Sequence, residues 1–143
     1  MGPVALTPQM RELFDRALIE GNFAIVATAS RLGDPDLAYK GSLVVLDPDH
    51  LSFWERAHGQ TLANLRENPQ VCVLYRNPKE RLIWKFFGHA ELLPSGGRRM
   101  EVLARSPKFE VDRDPERKGI AVLLRVDRVV QLGQVIMQRA TMG

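Results

Sequence analysis

The spacing of apolar residues predicts one long amphipathic helix close to the start of the chain. Over residues 7–21 apolar side chains recur every three or four positions, at Met10, Leu13, Phe14, Ala17 and Leu18. Thr7 favours the N-cap, Pro8 suits the first helical position, and Gly21 favours the end of a helix. The pattern therefore indicates a helix that packs one apolar face against the rest of the protein.

Most of the remaining chain has the residue composition of β-strands. Turns containing Gly, Pro, Asn or Asp separate six predicted strands, over residues 23–30, 37–46, 50–54, 71–76, 81–93 and 119–130. Short helices are predicted over 60–67, where Asn68 and Pro69 end the pattern, and from 94–97 to about residue 105. Strands and helices do not alternate regularly, so we predict a mainly β (α+β) fold, a six-stranded antiparallel barrel with a few peripheral helices.

The predicted strand over 81–93 carries large apolar residues on both of its faces. One face holds Trp84, Phe86, Gly88 and Ala90, and the other holds Ile83, Lys85, Phe87 and His89. Gly88 indicates a β-bulge. Aromatic residues on both faces favour a strand that lies in the barrel core on one side and in a subunit interface on the other, so we expect a homodimer.

Composition fits one globular domain over residues 1–143. The chain is 45% hydrophobic and 26% charged, and its most apolar runs, 23–29 and 120–124, fall far short of the roughly 20 residues that cross a bilayer. The first residues carry no signal-peptide or myristoylation pattern. We therefore expect a cytoplasmic protein without a membrane segment.

Charge and cysteine content add two further expectations. Lys and Arg exceed Asp and Glu by 20 to 17, but the charges are interspersed, so the preference for anionic ligands is weak. Cys72 is the single cysteine, and its place between Val71 and Val73 predicts a small buried hydrophobe.

The segment 54–69 has the features of an anion-binding helix start. Gly59 precedes the predicted helix, Gln60 and Thr61 add side-chain donors, and the first-turn N–H groups carry partial positive charge. Arg56 lies just upstream, and Lys40-Gly41-Ser42 lies on a preceding predicted strand. The pattern predicts a phosphate site, and an ordinary strand, turn and surface helix is the alternative.

In this order of elements, the chain resembles the pyridoxamine 5′-phosphate oxidase-like family of flavin-binding split barrels over residues 7–130. The most recognisable part is the helix Gln60-Thr61-Leu62-Ala63-Asn64-Leu65, its Asn68-Pro69 stop, and the Trp-containing strand that follows. The resemblance implies a split barrel, a homodimer and two FMN molecules at its interface.

The resemblance also implies a set of cofactor-binding residues. Those next to the flavin ring are Lys40, Gly41, Ser42 and Leu43, with Glu55 and Arg56 at a strand end. Gln60 and Thr61 stand where many relatives place Arg and Lys for the phosphate, so Arg56 or Lys40 has to supply the charge. Trp84 and Lys85 fall on a strand that in relatives reaches the partner's flavin, with core and surface positions as the alternatives.

The resemblance implies a flavin-dependent oxidoreductase, with a donor such as NADH or NADPH and a small-molecule substrate. A deazaflavin in place of FMN, and a sensor or carrier without turnover, are the alternatives. Vitamin B6 oxidation is not expected, because the chain lacks the Arg-containing final segment of that enzyme. No catalytic residue is assigned, since no Ser-His-Asp or Cys-His motif is present.

Two other kinds of site are not expected. His50, His58 and His89 are widely spaced and follow no metal-ligand pattern, which predicts no metal site. Trp84, Phe86 and Phe87 suggest a stacking platform for single-stranded nucleic acid, but no RNP-like motif or basic run accompanies them.

Overall fold

Antiparallel strands make up most of the computed structural model, which describes residues 2–140. The strands are β1 (Ala24–Ala29), β2 (Pro35–Lys40), β3 (Val44–Asp47), β4 (His50–Glu55), β5 (Gln70–Asn77), β6 (Leu82–Leu93), β7 (Ile120–Gln131) and β8 (Gln134–Gln138). The helices described in the same residues are α1 (Pro8–Glu20), α2 (Gln60–Glu67), α3 (Gly97–Arg105) and α4 (Lys108–Asp112).

One continuous sheet contains all eight of these strands. Its order is β2-β1-β5-β6-β7-β4-β3, with β8 added to β7. β7 pairs with β6 along one edge, while its other edge pairs first with β4 and then with β8. The sheet therefore holds the end of β4, where the candidate site begins, against its longest strands.

Helix α1 forms for the reasons that the sequence predicts. Thr7 Oγ1 accepts a hydrogen bond from the Met10 amide at 3.1 Å, and Gly21 ends the helix with a φ of 74°. The apolar stripe is buried against the sheet, through Met10, Leu13, Phe14 and Ala17. The predicted helix is confirmed.

Aromatic residues from α1, β5 and β6 form the centre of the core. Phe14 lies 5.0 Å from Tyr75 and 5.5 Å from Phe86, measured between ring centroids, and Tyr75 stacks on Trp84 at 5.5 Å. A smaller cluster of Trp54, Val102 and Ala121 lies under α3. The inward positions on β6 are therefore core positions, as its alternation predicts.

The predicted count of six strands is wrong, and the described residues contain eight. The segment predicted as one strand over 37–46 divides into β2 and β3, because the chain turns at Gly41 and Ser42. β8 was not predicted; a turn at Leu132 and Gly133, both with positive φ, returns the chain to β7. Helix α4 is not among the helices that the sequence predicts.

Cys72 is half-buried, so the prediction of a small buried hydrophobe at this position is wrong. It faces outward on β5, where it aligns across the sheet with Ala27 and Phe87. Burial raises the pKa of the Cys72 thiol, and this effect exceeds the opposing influence of Lys85 and Arg128. Among residues 2–140 we find no helix with the length and hydropathy needed to span a bilayer.

The bulge predicted at Gly88 is confirmed. The β6–β7 register shifts between Phe87 and Gly88, and a Cβ placed on Gly88 would lie 2.0 Å from the backbone oxygen of Arg125. No side chain fits at that distance without movement of the β7 backbone. Glycine is therefore required at position 88, because β6 and β7 approach each other closely there.

We predict that Gly88→Ala lowers the free energy of unfolding by about 2 kcal/mol or more, because the added methyl group forces β7 away. Gly97→Ala is the matched control, since nothing lies within 4 Å of a Cβ there. Urea unfolding of both variants checks this. An unchanged midpoint for Gly88→Ala contradicts it.

Candidate functional site

A polar cavity of about 240 Å³ lies where β2 and β4 end. Its walls come from the end of β2, the β2–β3 connection, the end of β4 and the residues after it, and one residue of α4. They are Tyr39, Lys40, Gly41, Ser42, Trp54, Glu55, Arg56, Ala57 and Glu110. Five of the residues predicted for the cofactor site, Lys40, Gly41, Ser42, Glu55 and Arg56, are thus brought together here.

Lys40 and Glu55 form a buried ion pair in this cavity. Lys40 Nζ lies 2.5 Å from Glu55 Oε2, and the side chains are only 15% and 4% exposed. Lys40 Nζ also lies 5.8 Å from the centroid of the Phe53 ring. The charge of Lys40 is therefore already balanced by Glu55, and the predicted use of Lys40 as a phosphate cation is not favoured.

The β2–β3 connection holds Gly41, Ser42 and Leu43, which the sequence predicted to lie on a strand. Ser42 Oγ accepts a hydrogen bond from the Trp54 amide and donates one to the Trp54 carbonyl, each at 3.2 Å. Leu43 is buried in the core. These contacts fix the connection against the end of β4, while Leu43 presents no surface to the cavity.

Arg56 is paired with a residue that the sequence prediction missed. Its Nε lies 3.2 Å from Glu110 Oε2 on α4. Glu110 also lies over Gly41, where an added Cβ would be 3.3 Å from Glu110 Oε1 and 3.3 Å from Leu18 Cδ1. Glu110 lies 54 residues from Arg56, so no local sequence pattern connects the two. Its negative charge was the one signal that could have suggested a partner for Arg56.

Helix α2 presents an uncapped N-terminus close to Ala57 along the chain. The N-cap residue Gly59 makes no side-chain capping bond, and within residues 2–140 the amides of Gln60, Thr61 and Leu62 have no acceptor. An uncapped first turn of this kind is a ready binding site for an anion. The predicted helix over 60–67 is confirmed.

A buried hydrogen bond anchors α2 to β1. Asn64 Nδ2 donates to Thr28 Oγ1 at 3.0 Å, and Asn64 Oδ1 accepts from Gln60 Nε2 at 2.7 Å. Thr61 is buried beside them at 6% exposure. The side chains of Gln60 and Thr61 thus support the helix, whereas their backbone amides are the groups that remain for a ligand.

Trp84 and Lys85 lie apart from this cavity, on opposite faces of β6. Trp84 is 1% exposed, and its Nε1 donates to Gln131 Oε1 at 2.8 Å. Lys85 is exposed on the outer face. Trp84 is therefore a core residue and Lys85 a surface residue, which are the alternatives that the sequence left open.

Asp114 supports the Trp54 wall of the cavity. Its carboxylate accepts hydrogen bonds from Trp54 Nε1 at 2.9 Å, from the Gly119 amide at 2.7 Å and from the Lys118 amide at 3.0 Å. Burial alone would raise the pKa of Asp114, but these bonds outweigh it and hold that pKa below its usual value. The guanidinium of Arg99 covers the other side of Trp54, 4.7 Å from the ring.

No group of three or more His, Cys, Asp or Glu side chains within residues 2–140 is arranged to hold a metal ion. The site therefore offers a helix N-terminus, a polar cavity and two cations paired with carboxylates.

The family model described as pyridoxamine 5′-phosphate oxidase matches residues 6–127 of this chain. The chain belongs to the pyridoxamine 5′-phosphate oxidase family. A search of curated proteins found no match.

Three solved structures share this architecture. A candidate pyridoxamine 5′-phosphate oxidase from Lactobacillus delbrueckii has a TM-score of 0.70 and 23% identity, covering 91% of this chain and 97% of its own. HupZ from Group A Streptococcus has a TM-score of 0.67 and 23% identity, covering 94% and 98%. An FMN-binding protein from Syntrophomonas wolfei has a TM-score of 0.61 and 16% identity, covering 87% and 88%. The predicted split-barrel fold is confirmed.

We predict that Lys40→Met lowers the free energy of unfolding by about 3 kcal/mol, because Glu55 is left buried without a counter-charge. The double variant Lys40→Met with Glu55→Met recovers most of that loss, since neither charge remains. Urea unfolding of Lys40→Met, Glu55→Met and the double variant measures the coupling energy between the two side chains. Additive losses in the double variant contradict the ion pair.

Proposed function

We propose that this protein is a homodimeric flavoprotein that binds FMN non-covalently and acts as an oxidoreductase on a small molecule. The uncapped first turn of α2, which begins three residues after Ala57 in the cavity wall, carries the proposal. Family membership supports it, as does the likeness to a protein described as FMN-binding. The proposal places the protein in the cytoplasm.

The donor groups at α2 fit a phosphate monoester. Three consecutive first-turn amides, at Gln60, Thr61 and Leu62, lack acceptors within residues 2–140. Arg56 uses its Nε for Glu110, and its two Nη groups make no hydrogen bond to the described residues. Amides and one guanidinium fork therefore supply the donors in place of the Arg and Lys of relatives.

Two adjoining cavities offer room for the flavin ring and a substrate. The 240 Å³ cavity shares Tyr39, Gly41 and Glu110 with a second cavity of about 380 Å³ that Phe23 and Phe109 also line. When bound, FMN would supply hydride chemistry at its ring, so the protein needs no nucleophile of its own. The chain's part is to bind the cofactor, orient it and exclude water.

The outer face of the sheet supports the proposed homodimer. Leu37, Ala27, Cys72 and Phe87 align in one cross-strand row, and Tyr39, Ile25 and Leu74 align in the next. Leu37 and Tyr39 are 69% and 72% exposed. A second copy packed on these rows would remove them from water, and Lys85, aligned with Leu74, would then face the partner.

We predict that Gln60→Pro weakens FMN binding at least about tenfold, because it removes one amide donor from the first turn. Proline is compatible with this first helical position, and Gly59 already has an extended ψ of −151°. Gln60→Ala is the matched control, since it also removes the side chain but keeps the amide. FMN fluorescence quenching measures both affinities, and equal affinities count against the proposed phosphate site.

An enzyme and a carrier give different results with a reductant. We expect NADH or NADPH to bleach the absorbance of the bound flavin under anaerobic conditions, because a turnover enzyme needs a donor. No bleaching by either donor favours a sensor or carrier. Mass analysis of the released cofactor distinguishes FMN from a deazaflavin.

A further inference from the structure

A polar row crosses five strands on the outer side of the sheet, away from the cavity at Lys40. The register aligns Gln70 on β5 with His89 on β6, His89 with Arg125 on β7, Arg125 with His50 on β4, and His50 with Asp47 on β3. Directly paired residues on antiparallel strands project to the same side. The two imidazoles therefore stand on either side of the Arg125 side chain.

Each of these histidines has an aspartate against its Nδ1. His50 Nδ1 lies 2.8 Å from Asp47 Oδ1, and His89 Nδ1 lies 2.5 Å from Asp127 Oδ2. An ionised carboxylate only accepts hydrogen bonds, so His50 Nδ1, which is hydrogen-bonded to Asp47, carries the proton, whereas His89 Nδ1 lies close to Asp127 Oδ2. The His50 ring is then held in one tautomer, and in both rings Nε2 is the nitrogen left for a ligand.

Two β-bulges place these aspartates. The β3–β4 register shifts between Val45 and Asp47, which brings Asp47 opposite His50. The β6–β7 register shifts after Phe87, so that Asp127 has no partner of its own across the strands and its carboxylate reaches His89. Bulges occur often beside functional sites, where they redirect one side chain.

The row borders a groove of about 230 Å³ lined by His50, His89, Ala90, Glu91, Leu123 and Arg125. Within residues 2–140, the Arg125 side chain makes no ion pair and no hydrogen bond. Two charged pairs lie nearby: Arg98 lies 3.5 Å from Asp47, and Arg139 lies 3.8 Å from Asp127. Glu91 also lines the groove. Among the described residues, Arg125 is therefore a cation in this groove that is free to pair with an anion.

The chemistry of the row suits an oxyanion and disfavours a metal ion. A metal between the two Nε2 atoms would meet the positive charge of Arg125. A phosphate group instead pairs with the guanidinium fork, and each Nε2 either donates to a phosphate oxygen when the ring is protonated or accepts from a P–OH group. Glu91 opposes the anion, so its removal should strengthen binding.

We propose that His50, Arg125 and His89 form a second binding site, specific for a phosphate group, that is separate from the proposed flavin site. Its ligand is either free phosphate or the phosphate of a small ester. The site depends on this chain's own residues and is present whether or not a flavin is bound.

Histidine NMR tests this proposal directly, because the chain has three histidines and His58 lies outside the row. The full chain is titrated with inorganic phosphate, and separately with phenyl phosphate, at constant ionic strength. We expect the ring signals of His50 and His89 to move together along one saturable curve, whereas His58, which lies just before the start of α2, reports separately on phosphate bound at the proposed flavin site. The tighter of the two probes identifies the source of the phosphate.

Variants of exposed residues separate binding from folding. Arg125→Gln should weaken the phosphate affinity about tenfold and Glu91→Gln should strengthen it about threefold, whereas the control Arg76→Gln should leave it unchanged. Thermal unfolding verifies that each variant is folded. Absence of saturation with both probes, movement of His58 alone, or an unchanged affinity in Arg125→Gln overturns the proposal. FMN binding is measured separately, so failure of one site is distinguishable from failure of the other.

Discussion

Pairing between β6 and β7 is the constraint on which the rest of this structure depends. The two strands run side by side for most of their length and change register once, where Gly88 allows the backbone of Arg125 to approach closely. On the inner side, this pairing places Trp84 and Phe86 in the core. On the outer side, it places His89 next to Arg125. One register therefore fixes both the packing that holds the barrel and the polar row behind the second proposed site.

Helix α2 is attached to the sheet by its side chains, so the backbone amides of its first turn remain available. Asn64 is 2% exposed and donates to Thr28, which ties the helix to β1 without using the amides of its first turn. Around the adjoining cavity, by contrast, Lys40 and Arg56 are paired with Glu55 and Glu110. At the phosphate site proposed above, oriented peptide groups would therefore supply most of the electrostatic preference, and the ion pairs shape the walls of the cavity.

Local signals allowed several elements to be predicted from sequence. Helix α1 begins after Thr7 and ends at Gly21, α2 ends before Asn68 and Pro69, and the bulge lies at Gly88. Each of these features depends on residues that are close together in sequence. The candidate site was predicted only in part. Glu110 acts on Arg56, and Asp114 on Trp54, across 54 and 60 residues. The polar row is equally long-range, since His50 and His89 are isolated in sequence and become neighbours of Arg125 only through strand register.

The central claim is that the first-turn amides of α2 bind the phosphate of FMN. Amide NMR of the nitrogen-labelled protein tests it most directly, by comparing FMN with riboflavin, which has the same ring but no phosphate. The account predicts that FMN shifts the Gln60, Thr61 and Leu62 amide protons downfield and that riboflavin leaves them in place. Binding of FMN with these three amides unmoved, or equal shifts with riboflavin, would contradict it.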